Sequence, residues 1–474
     1  MLYFCTVLNL IKNQVIQEES ATKNEVGILI IKNIYVMKNI SNWGNYPVVK
    51  ANITEVVSYS TIREYVLKNR EVIARGNGRC YGDSSLGINI FSTCRLNKFL
   101  RFDDINGCME CEAGVLLSDV LEVIVPQGFF LYVTPGTRFI TVGGAIASDV
   151  HGKNHHVEGC FSEWVLNFKL MDENGEIHNC SRTENPIKFW STVGGMGLTG
   201  IILSASFRLR KIETPFILQE TIKAKNLNEI FALFEESANR TYSVAWIDCL
   251  KRGRDTGRSI LFRGEHLKET ELTSDKRASL HYKRNTDPLN IPFFFPGFVL
   301  NRFTIKLFNW FYFSKQFRKK TGKIVDYWTF FYPLDILNNW NRIYGKKGFI
   351  QDQMVIPKEH GEKGMRKILE TVSRKKQGSF LAVLKLFGKN NPMAYNSFPV
   401  EGYTLALDFK ISRKLKHLVN ELDSIVEEFG GRIYLAKDSM SKPEITNYLK
   451  NTDSAKFISI QSKRINVNDS AIPI

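Results

Sequence analysis

The sequence predicts a mixed α+β fold divided into two domains. The chain has 474 residues, of which 43% are hydrophobic and 24% charged, and this is the composition of a globular protein. Strand-like and helix-like apolar runs alternate along it, and the loops lengthen after Thr214. No apolar run reaches the ~20 residues that a membrane-spanning helix requires. We therefore expect a protein that buries a large core and does not span a membrane.

The charge and the cysteines exclude several function classes. Lys and Arg number 64 against 48 Asp and Glu, a net charge of +16, but the basic residues are dispersed and no nucleic-acid-binding module is recognisable. The eight cysteines show no disulfide framework. Cys108 and Cys111 form a C-x-x-C pattern within a strand-like run, where positions three apart face opposite sides, so we do not expect a zinc or redox pair.

The elements of the first half surround three glycine clusters. An amphipathic helix is predicted from Thr54 to about Lys68, and a second from Ser118 to about Val125, ended by Pro126 and Gly128. The turn Asn174-Gly175 between apolar flanks predicts a hairpin. The glycine clusters lie at 75–85, 135–145 and 193–200.

The second half predicts strands that alternate with helices. Strand-like runs cover 351–357, 380–387 and 403–411. Apolar residues from Leu415 to Phe429 keep helical spacing, and Gly430-Gly431 supplies the stop signal. A last strand is predicted over 432–436, ending at Lys437.

The glycine clusters indicate a dinucleotide cofactor, because closely spaced glycines allow backbone N–H groups to approach phosphate oxygens. The segment 195–200 matches G-x-G-x-x-G, a pattern that binds dinucleotides in a Rossmann fold only where it opens a helix. Here Ile201–Leu209 follows, alternating and β-branched, which predicts a strand. We therefore reject a Rossmann fold.

Four longer segments carry a family resemblance. They are Ala-Arg-Gly-Asn-Gly-Arg-Cys-Tyr-Gly-Asp at 74–83, Val-Gly-Gly-Ala-Ile-Ala-Ser-Asp-Val-His-Gly-Lys-Asn-His-His at 142–156, Val-Gly-Gly-Met-Gly-Leu-Thr-Gly at 193–200 and Gly-Gly-Arg-Ile-Tyr-Leu-Ala-Lys-Asp-Ser at 430–439. From about Asn42 to about Leu449 the chain resembles the vanillyl-alcohol-oxidase-type (PCMH-type) FAD-linked oxidoreductases. Within them it is most similar to the decaprenylphosphoryl-β-D-ribose 2-oxidase group, the oxidative subunit of an epimerase.

The resemblance implies a two-domain FAD-binding fold with an α+β substrate cap. We expect an N-terminal extension at 1–36, the first part of the FAD-binding domain at 37–211, the cap at 212–430 and a return to the FAD domain at 431–474. The implied FAD contacts are Arg75, Gly76, Asn77, Gly78, Arg79, Cys80, Tyr81, Gly82, Asp83, Ser84, Ser85, Gly136, Thr141, Val142, Gly143, Gly144, Ser148, Asp149, Val150, His151, Ile201 and Tyr434. Arg79 stands where many relatives carry a histidine linked to flavin, so we expect noncovalent FAD.

The resemblance also implies a catalytic pair and a substrate pocket. Lys437 matches the essential lysine of the family and His151 borders the flavin. The implied substrate contacts are Lys153, Trp246, Gln353, Lys385, Thr404 and Ala406. From the residues alone, an exposed Lys437 bound by Asp438 is the favoured interpretation, and core packing accounts for Trp246 equally well. The family has asparagine and cysteine where Thr404 and Ala406 stand, which bears on the sugar more than on the reaction. We expect no metal.

The implied reaction is oxidation of a sugar hydroxyl, at C2 of a polyprenyl-phosphate pentose, by hydride transfer to flavin N5. A separate NAD(P)H-dependent short-chain reductase would complete the epimerisation. The alternatives are a soluble alditol or aldonolactone oxidase of the same fold, and a basic membrane- or nucleic-acid-binding protein without catalysis. We expect a cytoplasmic protein, without nucleic acid, that contacts the inner face of the membrane. The aromatic and basic segment 293–320 fits that contact or a buried cap core.

Overall fold

A computed structural model describes residues 37–55, 57–272, 289–446, 448–452 and 454–465. The predicted extension at 1–36 lies outside the described residues. The described helices are α1 (Tyr59–Lys68), α2 (Leu117–Ile124), α3 (Val142–Ala147), α4 (His155–Glu158), α5 (Pro186–Thr192), α6 (Leu227–Glu236), α7 (Arg302–Lys315), α8 (Tyr327–Phe331), α9 (Gly361–Arg374), α10 (Leu415–Glu428), α11 (Pro443–Thr446) and α12 (Ile460–Arg464). None of them is long and apolar enough to cross a bilayer.

A small four-stranded sheet begins the described chain. It contains β1 (Lys38–Ile40), β2 (Val49–Glu55), β3 (Ile73–Arg75) and β4 (Asn89–Ser92), in the order β1-β2-β4-β3. The prediction that the first helix begins at Thr54 is wrong, because β2 continues through Glu55 and pairs with β4. The first glycine cluster leaves this sheet directly after β3.

A second sheet follows and carries the other two glycine clusters. Its strands are β5 (Phe99–Asp103), β6 (Cys108–Glu112), β7 (Phe129–Leu131), β8 (Val165–Met171), β9 (Ile177–Ser181) and β10 (Ile201–Lys211). The main order is β5-β6-β10-β8-β9, with β7 paired to β10. The predicted hairpin is β8–β9, and β10 confirms that a strand follows the third glycine cluster. Of the two cysteines in β6, Cys111 is buried and Cys108 is half-buried.

The third sheet has eight strands and supplies the other side of the site. The strands are β11 (Phe216–Ala224), β12 (Tyr242–Ile247), β13 (Ser259–His266), β15 (Lys320–Asp326), β17 (Phe349–Pro357), β18 (Ala382–Phe387), β19 (Gly402–Lys410) and β20 (Arg432–Ile433). They lie in the order β15-β11-β13-β12-β18-β19-β17-β20. Two further strands, β14 (Leu289–Asn290) and β16 (Leu337–Asn338), pair separately. The apolar stripe of α10 is buried in the same core as Met354 of β17. The α+β class is confirmed.

The chain end packs against the beginning. The predicted strand 432–436 is shorter than expected: β20 ends at Ile433, and residues 434–438 form a turn in which the Lys437 and Asp438 amides donate to the Tyr434 carbonyl. Leu435 and Ile465 share a core with Ile73 of β3. The boundaries at 211 and 430 stay a prediction, as does the assignment of 431–474 to the FAD domain.

Candidate active site

One cavity of about 300 Å³ brings most of the predicted site residues together. One side, here called the loop wall, consists of lining residues from segments 74–93, 113, 135–151 and 192–202. The other side, the sheet wall, consists of Gln351, Gln353, Val383, Lys385, Ala406, Tyr434, Ala436 and Lys437. The two walls come from opposite ends of the chain, so the cavity lies where those ends meet.

Backbone contacts hold the loop wall together. A Cβ added to Gly76 would stand 2.3 Å from Thr141 Oγ1, so the first glycine cluster can lie against the second only without a side chain there. The Asn77 amide donates to the Phe139 carbonyl over 2.8 Å. The Thr141 hydroxyl caps α3 by accepting from the Gly144 amide over 3.1 Å.

The loop wall suits a dinucleotide such as FAD. Nothing lies within 4 Å of the position that a Cβ of Gly136 would occupy, and Gly136 lines the cavity, so an extended ligand has room there. The lining includes small residues at Gly76, Gly78, Gly143 and Gly144, whose backbone a phosphate can approach. FAD would therefore be held along this wall, mainly by backbone groups.

Adjacent strands align the sheet wall. Gln353 of β17 lies opposite Ala406 of β19, and Ala406 lies opposite Val383 of β18. Two residues before Ala406 on β19, Thr404 lies opposite Lys385 of β18. Because side chains two apart on a strand share a face, this register gathers polar groups from three strands at one surface.

A glutamine and a histidine connect the two walls. The Gln353 amide nitrogen lies 2.9 Å from His151 Nε2, and the Thr404 hydroxyl lies 3.3 Å from the same amide nitrogen. Burial, followed by the positive charges of Lys385, His155 and Lys437, lowers the pKa of His151 well below its usual range. His151 is therefore neutral, and as placed its Nε2 accepts the hydrogen bond.

Lys437 occupies the turn after β20 and faces the cavity. Its Nζ lies 3.9 Å from the centre of the Tyr81 ring, which belongs to the first glycine cluster. Burial lowers the pKa of Lys437 to about 8, although the nearby Asp408 carboxylate and Cys80 oppose the shift. About a tenth of this amine is thus neutral at pH 7, against far less for an ordinary lysine, and the neutral form can accept a proton.

Asp408 is the charged group that supports Lys437. Tyr344 donates to Asp408 Oδ2 over 2.9 Å, and Gln351 donates to Oδ1 over 2.6 Å. Burial raises the pKa of Asp408 to about 7, while these two hydrogen bonds and Lys437 act in the opposite direction. Gln351 thereby joins the cavity lining to the buried carboxyl of Asp408.

Two further lysines extend the positive charge away from Lys437. Burial and the charge of Lys437 lower the pKa of Lys385 to about 7, and burial and Lys385 lower that of Lys153 to about 7. Lys385 lines the cavity. Lys153 instead donates to the carbonyls of Phe330 and Phe331 over 2.6 and 2.9 Å.

Some predicted residues lie behind the lining rather than on it. They are Arg75, Gly82, Asp83, Val142, Asp149 and Ile201 on the cofactor side, and Lys153, Trp246 and Thr404 on the substrate side. Asp149 is buried and accepts from the Ser162 amide and the Ser397 hydroxyl. Trp246 donates to the Phe380 carbonyl and packs on Tyr312. The roles predicted for these residues stay predictions.

Sequence reasoning missed several lining residues. Trp43, Leu334, Asp335 and Trp340 border the cavity, and the Arg79 guanidinium lies 4.1 Å from the Trp43 ring centre. Asp335 accepts from the Arg138 amide over 3.0 Å, and burial raises its pKa. Isolated residues in loops give no periodic signal, so only Trp43, at the start of the globular pattern, could have been noticed.

Comparison with known proteins gives the following similarities. The FAD binding domain family matches residues 50–181. Decaprenylphosphoryl-β-D-ribose oxidase of Mycolicibacterium smegmatis is 36% identical over 419 residues, 86% of this chain and 90% of the relative. An uncharacterized protein of Streptomyces coelicolor is 30% identical over 70% of the chain and 91% of its own length. L-Gulonolactone oxidase of Bos taurus is 29% identical over 29% of the chain and 30% of its own length.

Proposed function

Because the chain belongs to the decaprenylphosphoryl-β-D-ribose oxidase family of FAD-dependent oxidoreductases, we propose that it oxidises C2 of a polyprenyl-phosphate pentose such as decaprenylphosphoryl-ribose. The product would be a keto sugar, formed as the first half of an epimerisation. The observation that carries the proposal is the sheet wall, where Lys437, Gln353 and Lys385 face the loop wall across one cavity.

The proposed chemistry requires a hydride acceptor and a proton acceptor. The residues of the loop wall would hold FAD, which would supply the acceptor for the hydride of the carbinol carbon. Lys437 receives the hydroxyl proton, because its neutral amine is accessible at a pKa of about 8. The C–H and O–H bonds break, the C=O bond forms, and the proton remains on Lys437 Nζ until solvent removes it.

Gln353 and Lys385 orient the sugar. The Gln353 side chain is held by His151 and Thr404, so its carboxamide points in one direction before the substrate arrives. Lys385 supplies a positive charge beside Lys437 that suits an electron-rich sugar oxygen or phosphate. His151 acts through Gln353 and borders the flavin, while Ala406 leaves space between the strands.

The flavin is proposed to bind noncovalently. Arg79 occupies the loop position at which many relatives form a histidyl bond, and a guanidinium cannot form that bond. Its side chain lies over Trp43 and near Phe139, at 4.1 and 5.1 Å from their ring centres. Arg79 is thus a cationic part of the lining.

The second candidate is an alditol or aldonolactone oxidase of the same flavin fold. The similarity to L-gulonolactone oxidase supports it, but covers only 29% of the chain. A polyprenyl-phosphate substrate adds two expectations. A separate NAD(P)H-dependent short-chain reductase would consume the keto product, and the cytoplasmic enzyme would contact the inner membrane surface, where the lipid tail resides.

A visible spectrum tests the proposal. The purified protein should show flavin absorbance that acid precipitation releases into the supernatant, and anaerobic addition of a polyprenyl-phosphate ribose should bleach it. Flavin that remains oxidised with that sugar but is bleached by an aldonolactone or alditol would select the second candidate. A protein that neither contains nor can be reconstituted with FAD would contradict both.

A further inference from the structure

Helix α7 exposes more apolar surface than it buries. Of its fourteen residues, only Ile305 and Asn309 are buried. Phe303 is 74% exposed and Trp310 56%, and the other exposed apolar side chains of the helix are Leu307, Phe308 and Phe311. A surface helix normally directs its apolar stripe to the core. A contiguous exposed aromatic surface instead marks a contact with a membrane or with a partner protein.

Residues on both sides of α7 extend this surface. Phe293 and Phe298 precede the helix and are 61% and 77% exposed, and Phe317 follows it and is 92% exposed. Together, the exposed apolar side chains of 293–317 are here called the aromatic surface. It is rigidly attached, because Asn309 donates to Asp248 over 2.7 Å and Tyr312 packs on Trp246.

The sequence around the aromatic surface is basic, and of its basic residues Lys319 and Lys320 pair with Glu229 and Glu220 of neighbouring elements. The segment 289–325 contains seven Lys or Arg and no Asp or Glu. Beside the start of α7, a second cavity of about 240 Å³ is lined by Arg302, Lys376 and Lys410 and by one acidic residue, Asp408. Basic side chains that border exposed Phe and Trp match the interface of an anionic membrane, where the rings enter the acyl boundary and the cations meet phosphate groups.

The aromatic surface lies close to the candidate active site. Tyr312 of α7 packs on Trp246, with ring centres 4.8 Å apart. Trp246 pairs in register with Val383, which lines the first cavity. One strand pair therefore separates α7 from the sheet wall. A substrate whose tail stays in a bilayer would need this short path from membrane to site.

We infer that the aromatic surface is a membrane-docking site that inserts Phe303, Trp310 and Phe311 into an anionic lipid bilayer. This inference deepens the proposed function and rests on it for the choice of lipid over protein as partner. The basic rim binds headgroup phosphates, while the rings bury apolar area. Docking presents the cavity to a polyprenyl-phosphate sugar without requiring the lipid tail to leave the bilayer.

The test is flotation of the FAD-loaded enzyme with vesicles of phosphatidylglycerol and phosphatidylcholine. The wild-type enzyme should bind the anionic vesicles and lose most binding at about 0.5 M NaCl, where screening is strong. The Phe303→Ser/Trp310→Ser variant should bind about tenfold more weakly. Tryptophan fluorescence should shift to the blue when the wild-type enzyme binds vesicles, and this shift should be lost in the variant that lacks Trp310, although the chain has seven tryptophans.

A matched control separates docking from general loss of apolar surface. Ile105 and Ile187 are 91% and 71% exposed and lie outside the aromatic surface, so Ile105→Ser/Ile187→Ser should bind vesicles as the wild-type enzyme does. Equal binding by the Phe303/Trp310 and control variants would overturn the inference. So would absence of wild-type binding at low salt, or a homodimer that buries Trp310 instead.

A water-soluble, short-chain prenyl-phosphate ribose distinguishes the two proposals. The Phe303→Ser/Trp310→Ser variant should retain FAD and oxidise this substrate at the wild-type rate, which also shows that it is folded. Oxidation without vesicle binding by the wild-type enzyme would overturn docking and leave the proposed function. Vesicle binding without oxidation would overturn the proposed function and leave the docking site.

Discussion

The two walls of the cavity differ in the kind of chemical group that they present. The loop wall presents backbone and small residues, with Gly76 against Thr141 and open space at Gly136. The sheet wall presents side chains whose charges interact: the pKa values of Lys437 and Lys385 are lowered, and that of Asp408, buried behind this wall, is raised. A wall that holds a cofactor depends on shape, and a wall that performs proton chemistry depends on charge. Substitutions should therefore affect the two walls in different ways.

The largest expected effect concerns the proton acceptor. Lys437→Ala removes the only group assigned that role, so flavin reduction by substrate should slow about 10³-fold. FAD content should stay at the wild-type level, because the loop wall is unchanged. Rapid-mixing absorbance measures the first quantity and acid release of flavin the second. Lys389→Ala, at an exposed loop lysine, serves as the control. Wild-type reduction rates in Lys437→Ala would remove the assigned role.

A pair of glycine substitutions should show where shape matters. A Cβ at Gly82 would stand 1.7 Å from the Asp438 carbonyl oxygen, so Gly82→Ala forces the first glycine cluster away from the Lys437 turn. Overpacking of this kind lowers the free energy of unfolding by about 1–3 kcal/mol. Gly136→Ala meets no atom within 4 Å and should leave the stability of the FAD-free protein unchanged. Urea unfolding checks both, and equal effects would contradict the contrast.

The pH dependence should report the sheet wall. Because the neutral form of Lys437 accepts the proton, kcat/KM should rise about tenfold per pH unit below about pH 7. Above that pH, loss of the Lys385 charge should flatten the rise. Stability should follow the same sign. The pKa of Lys437 is lower in the folded than in the unfolded chain, so unfolding binds a proton between these values and stability rises from about pH 8 toward pH 10. A flat kcat/KM profile would exclude Lys437 as the base.

The smallest effects are expected where the chain departs from the family pattern. Ala406→Cys restores the family residue opposite Gln353, and Thr404→Asn restores the one that contacts the Gln353 amide. Neither substitution changes Lys437. We expect kcat to change by less than about threefold and KM for the ribose substrate to change more. Steady-state kinetics with two pentose substrates checks this. A large fall in kcat would contradict this expectation and indicate that asparagine at position 404 cannot hold the Gln353 amide as Thr404 does.

The loop wall was largely predictable from the sequence, because each glycine cluster is continuous and its residues stay neighbours in space. Lys437, Gln353 and Lys385 lie on three separate segments, and only the family resemblance brought them together. Asp335 and Trp340 gave no signal, since a single loop residue has no periodicity. Aromatic residues occur on every side of α7, so composition could not separate exposed Phe303 from half-buried Tyr312, which packs on Trp246.

The last described helix, α12, links the first glycine cluster to the turn that carries Lys437. Arg464 donates to both Asp83 oxygens at 3.0 Å and pairs with Asp438, which directly follows Lys437. Asp83 and Arg464 are 381 residues apart. During translation the first glycine cluster therefore leaves the ribosome long before its partner exists. The site is therefore complete only late in synthesis. A flavin that binds to the nascent chain before then meets an incomplete site that cannot oxidise substrate.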